Sequence, residues 1–311
     1  MSALAWSEFE HRCQKPEHRL VGNWMARRIA RPLALRVTWV VAPWGVSANA
    51  ATLAAWACAA GAAAAFGWGS IAGWIVGAAL LQLWYLLDHV DGQLARFHGA
   101  ASLDGVQLDY LMHHTVNLLI PWGVGWGLFV RHAEPLWLLA GMGWGLGSLL
   151  LGLQNDARYK AFIQRLKRVR GELRVLGGGG SRPSAAPSPP RKLPGLVAWL
   201  ARKSCEPHLV MNTLTLLSLG ASLLDDRRLL AASVYLSFMA ATSLTLAVGA
   251  LVRSQRQSSV EREFALWYRP PDDHALIFEN GWWVVAARTS FVQPEETPGA
   301  GRAIRPCQGT A

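Results

Sequence analysis

The chain has 311 residues, of which 52% are apolar and only 16% charged, and its net charge is +10. Soluble domains carry about 25% charged residues, so a surface solvated on all sides by water is excluded. Cys13, Cys58, Cys205 and Cys307 lie too far apart for a disulfide framework or a paired metal-ligand motif.

The N-terminal segment, residues 1–22, mixes charges throughout Met1–His18 and lacks the apolar run of a signal peptide. Residues 23–46 predict an amphipathic helix lying in the membrane interface. Arg27, Arg28, Arg31 and Arg36 fall on one side of Asn23–Trp44, and Trp24, Ile29, Leu33 and Leu35 on the other. Six weakly charged stretches follow: Ala48–Trp68, Ile71–Leu87, Val116–Val130, Leu136–Leu153, Leu209–Leu224 and Leu229–Leu251. Each can cross a hydrocarbon core of about 30 Å when its polar ends are allowed for. Small residues crowd Ala59–Ala65 and Gly141–Gly147, which lets helices approach closely in lipid. Sixteen tryptophans suit two membrane interfaces.

The spans occupy residues 47–157 and 204–256. Residues 158–203 form a basic insertion. It is expected to begin as a helix over Arg158–Val175 and to break at Gly177–Gly180. A disordered, Pro/Ser/Ala-rich linker over Ser181–Pro190 and a short amphipathic piece, Leu196–Ala201, should follow. In residues 257–311, His274–Phe278 and Trp282–Ala286 flank Asn280-Gly281, the composition of a β-hairpin. Gln293–Ala311 reads as a tail. The predicted fold class is all-α: six transmembrane helices preceded by an interfacial helix, with a small cytoplasmic C-terminal β-hairpin appendage.

Charge distribution supplies the orientation. Basic residues gather near Arg27–Arg36, in Arg158–Arg174, in Arg182–Lys203 and in Arg253–Arg256, all on one side of a six-span chain. The opposite loops, Gly67–Ser70, Arg131–Glu134 and Asp225–Arg228, are short. This positive-inside pattern places the clusters in the cytoplasm. It points to membrane lipids with anionic headgroups as partners, and not to nucleic acid.

The stretch that carries chemistry begins at Asp88. Asp88 and Asp91 are three residues apart at the end of the second span; Asp109 and His113 are four apart at the start of the third. Either spacing puts both side chains on one helix face. The short Phe97–Asp104 connection makes the two helices antiparallel neighbours, so both pairs can face one cavity. A carboxylate in a spanning helix costs about 2.5–3.5 kcal/mol on insertion scales. Three that converge without lysines call for a cation. Hard oxygen ligands suit Mg²⁺ or Mn²⁺, which also bind phosphate oxygens. Gly92 and Gly105 leave room for close approach, and Arg96 offers a planar fork for phosphate.

Asp88, Asp91, Gly92, Ala95, Arg96, Gly105 and Asp109 fill seven of the eight fixed positions of D-x2-D-G-x2-A-R-x8-G-x3-D-x3-D. The stretch thereby resembles the signature of the CDP-alcohol phosphatidyltransferase family. Asn49-x-x-Thr52 resembles that family's Pro-Asn-x-x-Thr element, with Ala48 where proline is usual. The resemblance covers about Asn23–Arg256. It implies that Asp88, Asp91 and Asp109 ligate the metal, and that Asn49, Thr52, Gly92, Arg96 and Ser102 line the donor site, with Ala95 giving close packing there. It further implies a homodimer, a CDP-alcohol donor such as CDP-diacylglycerol, a hydroxyl acceptor, and a bacterial inner membrane with the site facing the cytoplasm.

The departure is His113, where the family has its last aspartate. One reading keeps the site active: neutral imidazole binds divalent metals, and its ordinary pKa near 6.5 suits a general base. The other makes the chain an inactive scaffold of the same fold. A third alternative keeps the enzyme and changes the donor, to CDP-choline or CDP-ethanolamine with a lipid acceptor. Elsewhere, His114 points about 100° away from His113 round the helix and is expected to pack. His98 and Asp104 are expected in solvent. Asn212-x-x-Thr215 echoes Asn49-x-x-Thr52 but reads as ordinary polar residues at a span end. Arg158 and Lys160 fit either an acceptor phosphate or interfacial anchoring.

Overall fold

The computed structural model describes residues 5–15, 20, 22–176, 189–190, 192–223 and 227–287. The linker over residues 181–188, the tail from Gln293 and the Asp225–Asp226 turn lie outside the described residues. The chain divides into two units, residues 1–157 with 182–259 and residues 158–181 with 260–311.

In the first unit, α1 (Trp6–Cys13) precedes a π-helical turn, Ala26–Ala30, that runs into α2 (Arg31–Val41). Then come α3 (Ala48–Gly67), α4 (Ile71–Phe97), α5 (Leu103–His132) and α6 (Leu136–Leu166), whose last turns belong to the second unit. After the insertion lie α7 (Leu193–Ser204), α8 (Pro207–Leu223) and α9 (Arg227–Gln257). Serine begins three of these helices: Ser47, Ser70 and Ser102 accept hydrogen bonds from the amides of Ala50, Gly73 and Gly105.

Four helical segments are long and apolar enough to cross a membrane: Ala48–Gly67, Ile71–Phe97, Leu136–Leu166 and Leu230–Gln257. Helices also stand at the other two expected spans: α5, which carries Asn117, Pro121 and several glycines, and α8, whose described part has 17 residues. The architecture is a helical membrane bundle, with a helix at each of the six expected spans and four of them meeting that criterion among the described residues.

In lipid no hydrophobic force drives helices together, so close backbone contact and packing must do so. A Cβ on Gly123 would lie 2.2 Å from the Ala63 carbonyl oxygen, and one on Gly127 2.1 Å from that of Phe66. Glycine is therefore what allows α5 to lie against α3. Phe66, Trp74, Leu81, Trp84, Met112 and Leu128 fill the core between α3, α4 and α5, each 3% exposed or less.

The interfacial helix departs from its expected pattern at one residue. Trp24, Ile29 and Leu33 are exposed, but Leu35 is buried with Ala34, Val90 and Leu94. The N-terminal segment holds a helix that the charge pattern did not reveal. Phe9 and Cys13 of α1 complete that same cluster.

In the second unit the expected basic helix over Arg158–Val175 ends at Leu166. Beyond it β1 (Val169–Arg170) pairs in parallel with β5 (Trp282–Ala287), and β2 (Arg174–Val175) pairs antiparallel with β3 (Tyr268–Arg269). Strand β4 (His274–Glu279) pairs antiparallel with β5 through the expected hairpin. Its two turn residues, Asn280 and Gly281, have φ of 50° and 83°, the left-handed pair that a type I′ turn requires. Helix α10 (Ser259–Trp267) adds Phe264, which packs edge-on against Phe162 at 5.4 Å. Arg165 pairs with Glu261 and stacks over the Trp283 ring at 4.1 Å.

Candidate active site

Three helix ends meet at one end of the bundle: the start of α3, the end of α4 and the start of α5. Between them lies a cavity of about 400 Å³, within the range of small-ligand sites. Its lining contains every residue of the two sequence motifs singled out above: Asn49, Thr52, Asp88, Asp91, Gly92, Ala95, Arg96, Ser102, Gly105, Asp109 and His113.

Asp88, Asp109 and His113 come together. The His113 Nε2 lies 3.0 Å from Asp88 Oδ1 and 3.4 Å from Asp109 Oδ1. One ligand atom from each of the three lies within 4.8 Å of the others. Two carboxylate oxygens and one imidazole nitrogen at such spacing form a donor set that fits a hard divalent cation. The Trp84 ring stands edge-on to the imidazole at 6.0 Å, and the Trp84 indole N–H points to the sulfur of Met112. Neighbours on two helices thus hold the His113 ring in place.

Asp91 is arranged differently. Its Oδ2 accepts the Thr52 hydroxyl at 2.8 Å and its Oδ1 the Gly92 amide at 2.5 Å. It stands at the cavity wall outside the three-residue group. Thr52 therefore touches the carboxylate directly, a contact between residues 39 apart in sequence. Gly105 has a steric reason: a Cβ there would sit 3.2 Å from both the Asn49 Oδ1 and the Ser102 hydroxyl.

Sequence reading missed five polar lining residues as members of the site: Gln14, Lys15, Arg31, His89 and Gln93. Arg31 and Gln93 are linked, because the Gln93 amide donates to the Arg31 carbonyl at 3.2 Å and accepts the Thr38 hydroxyl at 2.9 Å. Gln93 is 1% exposed, and a buried amide with its partners supplied holds α2 against α4. Burial lowers the Arg31 pKa from its ordinary value. Arg96 donates its Nε–H to the Cys13 carbonyl at 2.5 Å. Burial pushes the Cys13 thiol up to about 11, so it is a packing group and not a thiolate.

The remaining expectations sort plainly. His98 and Asp104 are exposed. His114 faces away from the cavity and its Nε2 meets Asp156 Oδ2 at 2.5 Å. Asn212 and Thr215 both accept from the Gln82 amide, at 3.2 and 3.0 Å, and so tie α8 to α4. Arg158 is engaged by Glu263 at 2.7 Å.

No protein-family model matches the chain, and no curated protein matches it in sequence. Among solved structures it is similar to the phosphatidylinositol phosphate synthase of Mycobacterium tuberculosis with CDP-DAG bound. The identity is 16%, the match covers 75% of this chain and 94% of that one, and the TM-score is 0.48. The same synthase in complex with manganese and citrate gives 17% identity, coverage of 73% and 88%, and a TM-score of 0.49. Likeness of that extent does not fix an activity, which has to come from the residues in the cavity.

Proposed function

We propose that the chain is a metal-dependent CDP-alcohol phosphotransferase, moving a phosphoalcohol group from a CDP-alcohol to a hydroxyl acceptor and releasing CMP. The observation that carries this reading is the convergence of Asp88, Asp109 and His113 in a cavity lined by all the other signature residues. Asp88 and Asp109 would hold Mg²⁺ or Mn²⁺, and Asp91 would join them on turning from Thr52, with the His113 imidazole beside the ion and its lone pair left for the acceptor proton. A divalent cation bound there would withdraw electron density from phosphorus and neutralise charge on the departing CMP.

The chain's own residues do the rest. Arg96 supplies N–H groups to the diphosphate. Asn49, Ser102 and the open backbone at Gly92 and Gly105 shape the donor pocket. The acceptor hydroxyl would approach His113, whose imidazole takes the proton as the new P–O bond forms and the bond to the CMP oxygen breaks. CDP-diacylglycerol is the donor that best suits a cavity cut into the end of a membrane bundle, since its acyl chains stay in lipid. The positive-inside pattern supports a cytoplasmic placement of this end.

The test is to incubate the purified chain with CDP-diacylglycerol, Mg²⁺ or Mn²⁺ and a panel of alcohols, and to measure CMP. Release that stops in excess chelator and returns with metal is the expected result. Full activity in chelator would overturn the metal-dependent reading.

A further inference from the structure

Helix α1 has eight residues, too short to be stable alone. Its order comes from docking. Phe9 and Cys13 are 2% and 0% exposed, and the Phe9 ring packs edge-on to Trp39 at 4.8 Å and against Phe97 at 5.0 Å. Phe97 is the neighbour of Arg96, so α1 sits on the very turn of α4 that carries the phosphate-binding fork.

Two observations go beyond packing. The Arg96 Nε–H is taken up by the Cys13 carbonyl at the end of α1, where unsatisfied helix carbonyls carry partial negative charge. Among the described residues that contact leaves both terminal NH2 groups of the guanidinium available, and they lie beside Gly92 at the cavity wall. Immediately after α1 the backbone turns extended at Gln14. Gln14 and Lys15 then enter the cavity lining, Gln14 with only 9% exposure.

We propose that α1 is a working wall of the donor site: its last carbonyl orients Arg96, and its exit brings Gln14 and Lys15 to the same diphosphate. This inference rests on the reading of the cavity as a CDP-alcohol site. Cys13 acts through Arg96 and is a positioning residue; Lys15 is a binding residue that adds a second cation to the anion. The donor should feel α1 and the acceptor should not.

The experiment uses the full chain in detergent with Mn²⁺ and CDP as the probe, measured by titration calorimetry, alongside steady-state kinetics. Lys15→Ala should weaken CDP about tenfold, the loss of one charge-assisted hydrogen bond. Lys15→Arg should recover most of that affinity. Phe9→Ala, which loosens α1, should weaken CDP in the same direction. In turnover, the KM for donor should rise while kcat and the acceptor KM hold. A merely structural helix would not produce that split. If Phe9→Ala fails to fold, Lys15→Ala decides alone. CDP binding unchanged in Lys15→Ala, or a shift in the acceptor KM instead, overturns the role of α1 and leaves the donor-site reading standing. Absence of CDP binding in the unmodified chain would remove the donor-site reading and this inference with it.

Discussion

The helices that build the site and the helices behind it are packed on different terms. In their most apolar 18-residue stretches, α3 and α4 bury 44% and 39% of residues, whereas α6 and α9 bury 22% each. Glycines on α5 meet α3 backbone directly, and Gly147 of α6 meets α9 backbone at Ser243, but farther along α9 Gly249 has nothing within 4 Å of where a Cβ would stand. Along α6, Leu139, Met142, Leu146, Leu150 and Leu153 turn outward, as a lipid-facing stripe would. The difference teaches where rigidity is needed. Ligand atoms contributed by two helices must stay within fractions of an ångström of a working geometry, and deeper burial of α3 and α4 restrains them on more sides. The outer helices pack closely along one side and turn the other to lipid.

The largest expected effect comes from the site itself. Asp88→Asn or Asp109→Asn should lower CMP release by about 10³-fold or more, because each removes a charge that acts on the transition state. His113→Ala should follow at roughly 10²–10⁴-fold, the usual contribution of a positioned base. His113→Asp should retain more turnover than His113→Ala. An unmodified chain that releases no CMP from any donor, with His113→Asp active, would mean that the site is retired. His113→Ala as active as the unmodified chain would mean that another group takes the proton.

Packing gives the next effect and addresses the comparison directly. In Gly127→Ala the new Cβ meets a backbone oxygen, which cannot swing aside, so α3 and α5 must move apart. Overpacking costs about 1–3 kcal/mol and sometimes more. The thermal midpoint should fall by about 5 °C or more, and metal-dependent turnover should fall with it. Gly249→Ala should leave the midpoint unchanged or slightly raised, since alanine is the better helix former. Equal losses from both would break the distinction between the site helices and the outer ones.

Much of the site was legible because its signals are local. Asp88 with Asp91, and Asp109 with His113, are fixed by helical periodicity, and the short loop between α4 and α5 brings the pairs together. The hairpin was legible for the same reason, from Asn280-Gly281 between two β-prone runs. What stayed hidden depends on distant partners. The two-residue strands β1 and β2 have no alternation of their own and exist only because β5 and β3, about a hundred residues on, complete them. Likewise, nothing in residues 6–15 announces a cavity wall, since that role is conferred by Arg96 from 83 residues away. The third span is the least plain in composition: α5 carries the polar and small residues that the site and the close packing need.

The smallest predicted effect lies on the bridge between the two sets of helices. His114 leaves α5 on the side away from the cavity and meets Asp156 of α6. A Cβ on Gly152 would come within 2.8 Å of the His114 ring, so α6 yields space for it. The pair is partly exposed, with side-chain accessibilities of 19% and 31%, which limits its worth through solvent screening. Asp156→Asn keeps an oxygen that can accept from the imidazole and removes only the charge. Turnover should therefore change by less than tenfold, a barrier difference under about 1.4 kcal/mol, with at most a small drop in thermal midpoint. Donor and acceptor KM should both hold, because neither His114 nor Asp156 lines the cavity. A loss comparable to that of Asp88→Asn would show that the outer helix reaches into the chemistry through α5, and the division between a rigid site and a covering shell would have to be redrawn at α6.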